Sequence, residues 1–75
     1  MYGIQGKMAR VALSLSIKEI AKLADVSTNT ISRLEAGEEL KPRTIDAIQT
    51  AFENAGVEFI AENGGGAGVR SKKDL

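Results

Sequence analysis

Thr28, Asn29, Ser32 and Arg33 lie close together in the chain, and each carries groups that match the edge of a base pair. Arg can donate twice to guanine, Asn can donate to and accept from adenine, and Thr offers thymine a methyl beside its hydroxyl. With Ile31 and Leu34 turned inward on a helix, these four side chains stand outward or on the flank. Ser27, Thr28, Asn29 and Thr30 start that helix, the end that goes deepest when such a helix enters a major groove. The chemistry implied is recognition by hydrogen bonding. The plainer alternative is that Ser, Thr and Asn only cap and solubilise a short helix. The surrounding scaffold favours recognition.

Bond-making chemistry has little support. The chain has 75 residues, with no histidine and no cysteine. That removes the usual general base, thiolate nucleophiles and the commonest metal ligands. Gly64-Gly65-Gly66 lacks the following Lys-Ser/Thr and the strand–helix setting of a phosphate loop. Glu38 and Glu39 are adjacent in a loop, where nothing shapes a pocket. No enzyme activity, cofactor, metal or small-molecule ligand is expected. Tyr2, Phe52 and Phe59 are the only aromatic residues, too few for base stacking to be the main mode of binding. Ten Lys and Arg balance ten Asp and Glu. Zero net charge argues against a bulk polycation, though not against a few cations gathered on one face. No apolar run reaches the roughly 18 residues of a membrane helix, and no apolar signal core opens the chain. The expected location is the cytoplasm, and no membrane partner is expected.

Four apolar-periodic stretches must position these residues. The first spans about Ile4 to Ala12, with Ile4, Met8 and Val11 on one face. Gly6 weakens it by about 1 kcal/mol relative to Ala, so its first turn should fray. The second opens with Ser16 and Glu19, spaced as a capping box, and carries Ile17, Ile20, Ala21 and Ala24 on one stripe. Ser27 caps the third, whose body runs from Thr28 to Ala36 and which Gly37 ends in a left-handed conformation. Pro42 sits in the first turn of the fourth, where its missing N–H is harmless. Ile45, Ile48, Phe52 and Ala55 face inward there, and Gly56 ends it. After Gly56 the texture changes. Val57 to Ala61 and Val69 to Ser71 can pair as a hairpin around the glycine-rich run 62–68, or the segment can remain a flexible tail.

Only Asp25 and Val26 separate the second helix from the cap of the third. So tight a turn makes the two helices cross steeply, and Ile20, Ala21, Val26, Ile31 and Leu34 lock the angle. This is a helix-turn-helix. The stretch from Ser16 to Gly37 resembles the DNA-binding core of the lambda repressor/Cro-like family, also called the xenobiotic response element family. Its marks are Leu15-Ser16, Glu19-Ile20-Ala21, Ala24, Val26-Ser27, Thr30-Ile31, the run Arg33-Leu34-Glu35-Ala36-Gly37, and Pro42. The resemblance covers about residues 4–56. Ala55 to Ile60, a glycine-rich turn and Gly68-Val69-Arg70 resemble the ending of some short members. Two positions depart from the family pattern. Ile17 stands where a phosphate-contacting Gln is common, so backbone N–H groups, Ser16 and Lys18 must hold that phosphate. Asp25 stands where the turn usually has Gly.

The resemblance implies an all-α fold, a compact four-helix helix-turn-helix domain over residues 1–56 with a short β or irregular tail over 57–75. It implies a transcriptional regulator binding double-stranded DNA. Thr28, Asn29 and Arg33 match positions that touch bases; Lys41 and Arg43 match a loop that places cations on phosphate. Ser16, Lys18, Ser27, Thr30 and Ser32 complete the expected interface. Arg10 and Glu35 match a structural ion pair of this fold. One copy reads few base pairs, so a homodimer on an inverted repeat is expected, with Val57, Phe59 and Ile60 as its contact. The alternative is an antitoxin that binds both a toxin and its own operator, so a protein partner is the other expectation.

Overall fold

The computed structural model describes residues 3–60 and 68–71. Four helices come first: α1 (Gly3–Ala12), α2 (Ile17–Ala24), α3 (Thr28–Glu35) and α4 (Pro42–Asn54). Two short strands follow, β1 (Val57–Ile60) and β2 (Gly68–Ser71), paired antiparallel with Val57 opposite Ser71 and Ile60 opposite Gly68. The fold is the expected mainly helical one, and its tail is a hairpin. Tyr2 and the glycine-rich run over 62–67 lie outside the described residues.

The first three helices end in the same way, with one left-handed residue and a backbone that folds back. After α1 the left-handed residue is Ser14 (φ 57°), and the Leu15 N–H donates to the Arg10 carbonyl at 3.0 Å. After α2 it is Asp25 (φ 57°), and Val26 donates to Ala21 at 2.9 Å. After α3 it is Gly37 (φ 85°), and Glu38 donates to Arg33 at 3.0 Å. These terminators keep the connections short. Asp25 tolerates the left-handed region better than most side chains do, which lets the turn form without glycine.

The core is Ala9, Ile20, Ala21, Ala24, Ile31, Leu34, Ile48, Phe52 and Val57. It draws on every helix and on β1, so the hairpin belongs to the same packed unit as the helices. Phe59 meets Phe52 edge to face, with ring centroids 6.0 Å apart. At the far end of the hairpin the buried amide of Gln5 donates to the Ile60 carbonyl at 2.9 Å and to the Gly68 carbonyl at 3.1 Å. One side chain of α1 thus holds both strands where they face each other. Glu58 and Arg70, opposite one another on the outer surface, form an ion pair.

Helix α1 packs differently from what its apolar spacing suggests. Its inward residues are Gln5, Gly6 and Ala9, whereas Ile4 and Val11 are each 60% exposed and Met8 38%. The apolar face exists, but it looks outward. The cause lies in how closely α1 approaches α3. A Cβ added at Gly3 would come within 2.2 Å of the Leu34 carbonyl oxygen. No side chain fits at Gly3; the inward Gly6 and Ala9 are small as well, and the longer Gln5 reaches to the hairpin. α1 is helical from Gly3 onward, through the first turn that Gly6 was expected to let fray.

A candidate nucleic-acid interface on α3

The interface starts from the anchoring of α3. Ile31 and Leu34 are 1% and 3% exposed and fix one side of the helix in the core. A second anchor is electrostatic. Arg10 of α1 meets Glu35 side-on, Nε to Oε2 at 2.6 Å and Nη2 to Oε1 at 3.1 Å, while Nη1 donates to the Leu15 carbonyl at 3.2 Å. The two side chains retain only 17% and 10% of their exposure. The hydrogen bond to Glu35 raises the Arg10 pKa further above its ordinary value. A bidentate pair of this kind restricts rotation of α3 as well as adding energy.

With one side fixed, Thr28, Asn29, Ser32 and Arg33 all stand exposed on the other. This is the row expected from spacing. Thr28, Asn29 and Ser32 make no side-chain hydrogen bond to any described residue. Ser27 and Thr30 are engaged with each other. The Ser27 hydroxyl accepts the Thr30 N–H at 3.1 Å and lies 2.8 Å from the Thr30 hydroxyl. Both therefore shape the start of α3 first.

Ser16 is similarly committed. Its hydroxyl accepts the Glu19 N–H at 3.0 Å, and the Glu19 carboxylate accepts the Ser16 N–H at 2.8 Å. The box expected from sequence is formed in full. The backbone N–H of Ser16, and then its side chain, hold the Glu19 carboxyl below its ordinary pKa. The Ser16 hydroxyl still has its own proton to donate, and the exposed Lys18 side chain and the first free N–H groups of α2 stand beside it as groups that can meet an anion.

At the other end of α3, where the sequence carries no sign of a pocket around Glu38 and Glu39, the packing of the loop against α3 and α4 leaves a cleft of 390 Å³ lined by Thr30, Arg33, Glu39, Leu40, Lys41 and Thr44. It brings Lys41 beside the recognition row. Lys41 is the N-cap residue of α4 and makes no capping hydrogen bond. Arg43 follows, exposed, in the first turn of α4. Val57 does not belong with these surface residues. At 1% exposure it is a core residue of its own chain, and Phe59 packs on Phe52. Of the three expected dimer-contact residues, half-buried Ile60 is the one least committed to the core.

Two residues with clear roles escaped the sequence reading. Gln5 carries no motif, and its role depends on a contact across 55 residues. Glu38 reads from sequence only as one of two adjacent loop carboxylates. In the structure its carboxylate accepts a hydrogen bond from Arg33 Nε at 3.1 Å. The available signal was Gly37, since a left-handed residue there turns the next residue back over the last turn of α3.

A family model described as helix-turn-helix matches residues 7–56, from α1 to the end of α4. The chain belongs to this helix-turn-helix family, of lambda repressor/Cro-like type, and so to a class of DNA-binding transcription regulators. No curated protein matches it. The match stops where the hairpin begins. Among the described residues no helix is long and apolar enough to cross a membrane.

Proposed function

We propose that this chain is a sequence-specific regulator of transcription that places α3 in the major groove of double-stranded DNA. The observation that carries this reading is the exposed row Thr28, Asn29, Ser32 and Arg33, set on a helix whose opposite side is fixed by Ile31, Leu34 and the Arg10–Glu35 pair. Lys18, Lys41, Arg43 and the start of α2 hold phosphates and set the register, while the row on α3 reads bases. Thr28 and Asn29 lie at the leading end of the helix. Ser16, Ser27 and Thr30 act mainly by shaping the two helix starts.

Two copies act together on an inverted repeat. Half-sites one turn apart are separated by about 34 Å, and the Cα extents of one copy are 31 × 25 × 18 Å. The contact uses the apolar stripe that one copy leaves uncovered: Ile4, Met8 and Val11 of α1, with Val69 of β2 beside them. A stripe at this helical spacing can pack on its own symmetry mate. Light scattering on the wild type and on Met8→Glu tests this contact: the wild type should be a dimer and the variant a monomer. A wild-type monomer that co-purifies with a second protein would favour the antitoxin reading instead.

The DNA reading is tested by selecting sites from random duplex DNA at two salt concentrations. An enriched inverted repeat is expected. Absence of enrichment at both concentrations would contradict it.

A further inference from the structure

We infer that Glu38 is a positioning residue for Arg33 and so a determinant of sequence preference; the inference rests on the major-groove reading of α3. Glu38 is held in place by the end of the helix itself. With Gly37 at φ 85°, the Glu38 N–H reaches the Arg33 carbonyl at 3.0 Å. Its carboxylate then meets Arg33 Nε at 3.1 Å. Backbone and side chain of the same two residues are thus paired across the same turn.

The consequence follows from the shape of guanidinium. Arg presents five N–H donors in a rigid planar fork. Glu38 occupies the Nε edge, and neither Nη group has a hydrogen-bond partner among the described residues. Two parallel donors remain, the arrangement that guanine O6 and N7 accept. A long exposed side chain normally loses rotamer freedom when it binds; here a neighbouring carboxylate limits that freedom beforehand. The pair is open to solvent, at 46% and 54% side-chain exposure, so it adds little to the stability of the fold. Its effect falls on recognition. The same carboxylate adds negative charge near the phosphates, which weakens binding to every sequence.

Positioning and charge move two observables in different ways. Affinity is measured for the selected site and for the same site with the Arg33-read base pair replaced, using wild type, Glu38→Ala, Glu38→Gln and Arg33→Ala. Glu38→Ala should bind the replaced site more tightly yet discriminate between the two sites about 3- to 10-fold less well, a part of what a bidentate pair supplies. Glu38→Gln keeps an acceptor for Nε without the charge, and should retain most of the discrimination while binding both sites more tightly. In an Arg33→Ala background, Glu38→Ala should leave discrimination unchanged. Thermal melts confirm folding, since the backbone bond of Glu38 survives both substitutions. Unchanged discrimination in Glu38→Ala, with tighter binding to both sites, would reduce Glu38 to a surface charge and overturn the inference. Intact discrimination in Arg33→Ala alone would overturn the reading of α3 as well, so the two failures are distinguishable.

Discussion

Arg10 and Glu35 lie 25 residues apart in sequence and meet through two hydrogen bonds, at 2.6 and 3.1 Å, with little solvent around them. The pair joins the first helix to the last turn of the recognition helix. Removing one partner leaves the other largely buried and unpaired. Arg10→Met or Glu35→Leu should therefore destabilise the fold by about 3 kcal/mol, whereas replacing both with apolar residues should cost much less. Urea unfolding of the two single variants and the double variant checks this. Single-variant losses below about 1 kcal/mol would place the pair in the exposed class.

Gln5 makes the corresponding link to the hairpin. Its amide donates to the Ile60 and Gly68 carbonyls, so Gln5→Leu leaves two acceptors without that donor. The expected loss is about 2 kcal/mol. It should be local, so amide exchange should accelerate at Val57–Ile60 well before it does in α2 or α4. Equal acceleration throughout would mean that the hairpin and helices open as one unit.

Gln5 also marks the limit of what the sequence reveals. Local signals were legible. Ser16 and Glu19 are three residues apart, Ser27 and Thr30 likewise, and both caps formed as read. Most buried positions of α2, α3 and α4 also follow from helical spacing: Ile20, Ala21, Ala24, Ile31, Leu34, Ile48 and Phe52 are in the core, whereas Ile17, Ile45 and Ala55 are half-buried and Leu23 is 57% exposed. α1 broke that rule. It comes too close to Leu34 at Gly3 for any side chain there, and Gln5, Gly6 and Ala9 face inward while Ile4, Met8 and Val11 face outward. Hydropathy periodicity registers size and apolarity together, and here the two point to opposite faces. At the interface, the row on α3 was legible because Ile31 and Leu34 fix its phase. The Arg33–Glu38 pairing was not, since it depends on the fold-back at Gly37.

The capping box predicts a pH dependence. Ser16 lowers the pKa of the Glu19 carboxyl in the folded state. A depressed carboxyl pKa contributes stability above the unfolded value and loses it as pH falls through the folded value. Glu19→Gln keeps an acceptor but does not titrate. Its deficit relative to wild type should be largest near neutral pH and should shrink below about pH 4.3, the ordinary glutamate value. Thermal melts of both proteins across the acid range check this. A deficit that does not change with pH would assign the effect to helix propensity rather than to the charged cap.

The central claim is that the exposed row of α3 reads bases, and one measurement addresses it directly. Site selection from random duplex DNA is run on wild type and on Arg33→Ala side by side. In Arg33→Ala, one base-pair position in each half-site should lose its preference, at a cost of about 1–3 kcal/mol, while the other positions and the half-site spacing persist. An identical consensus from both proteins would contradict it.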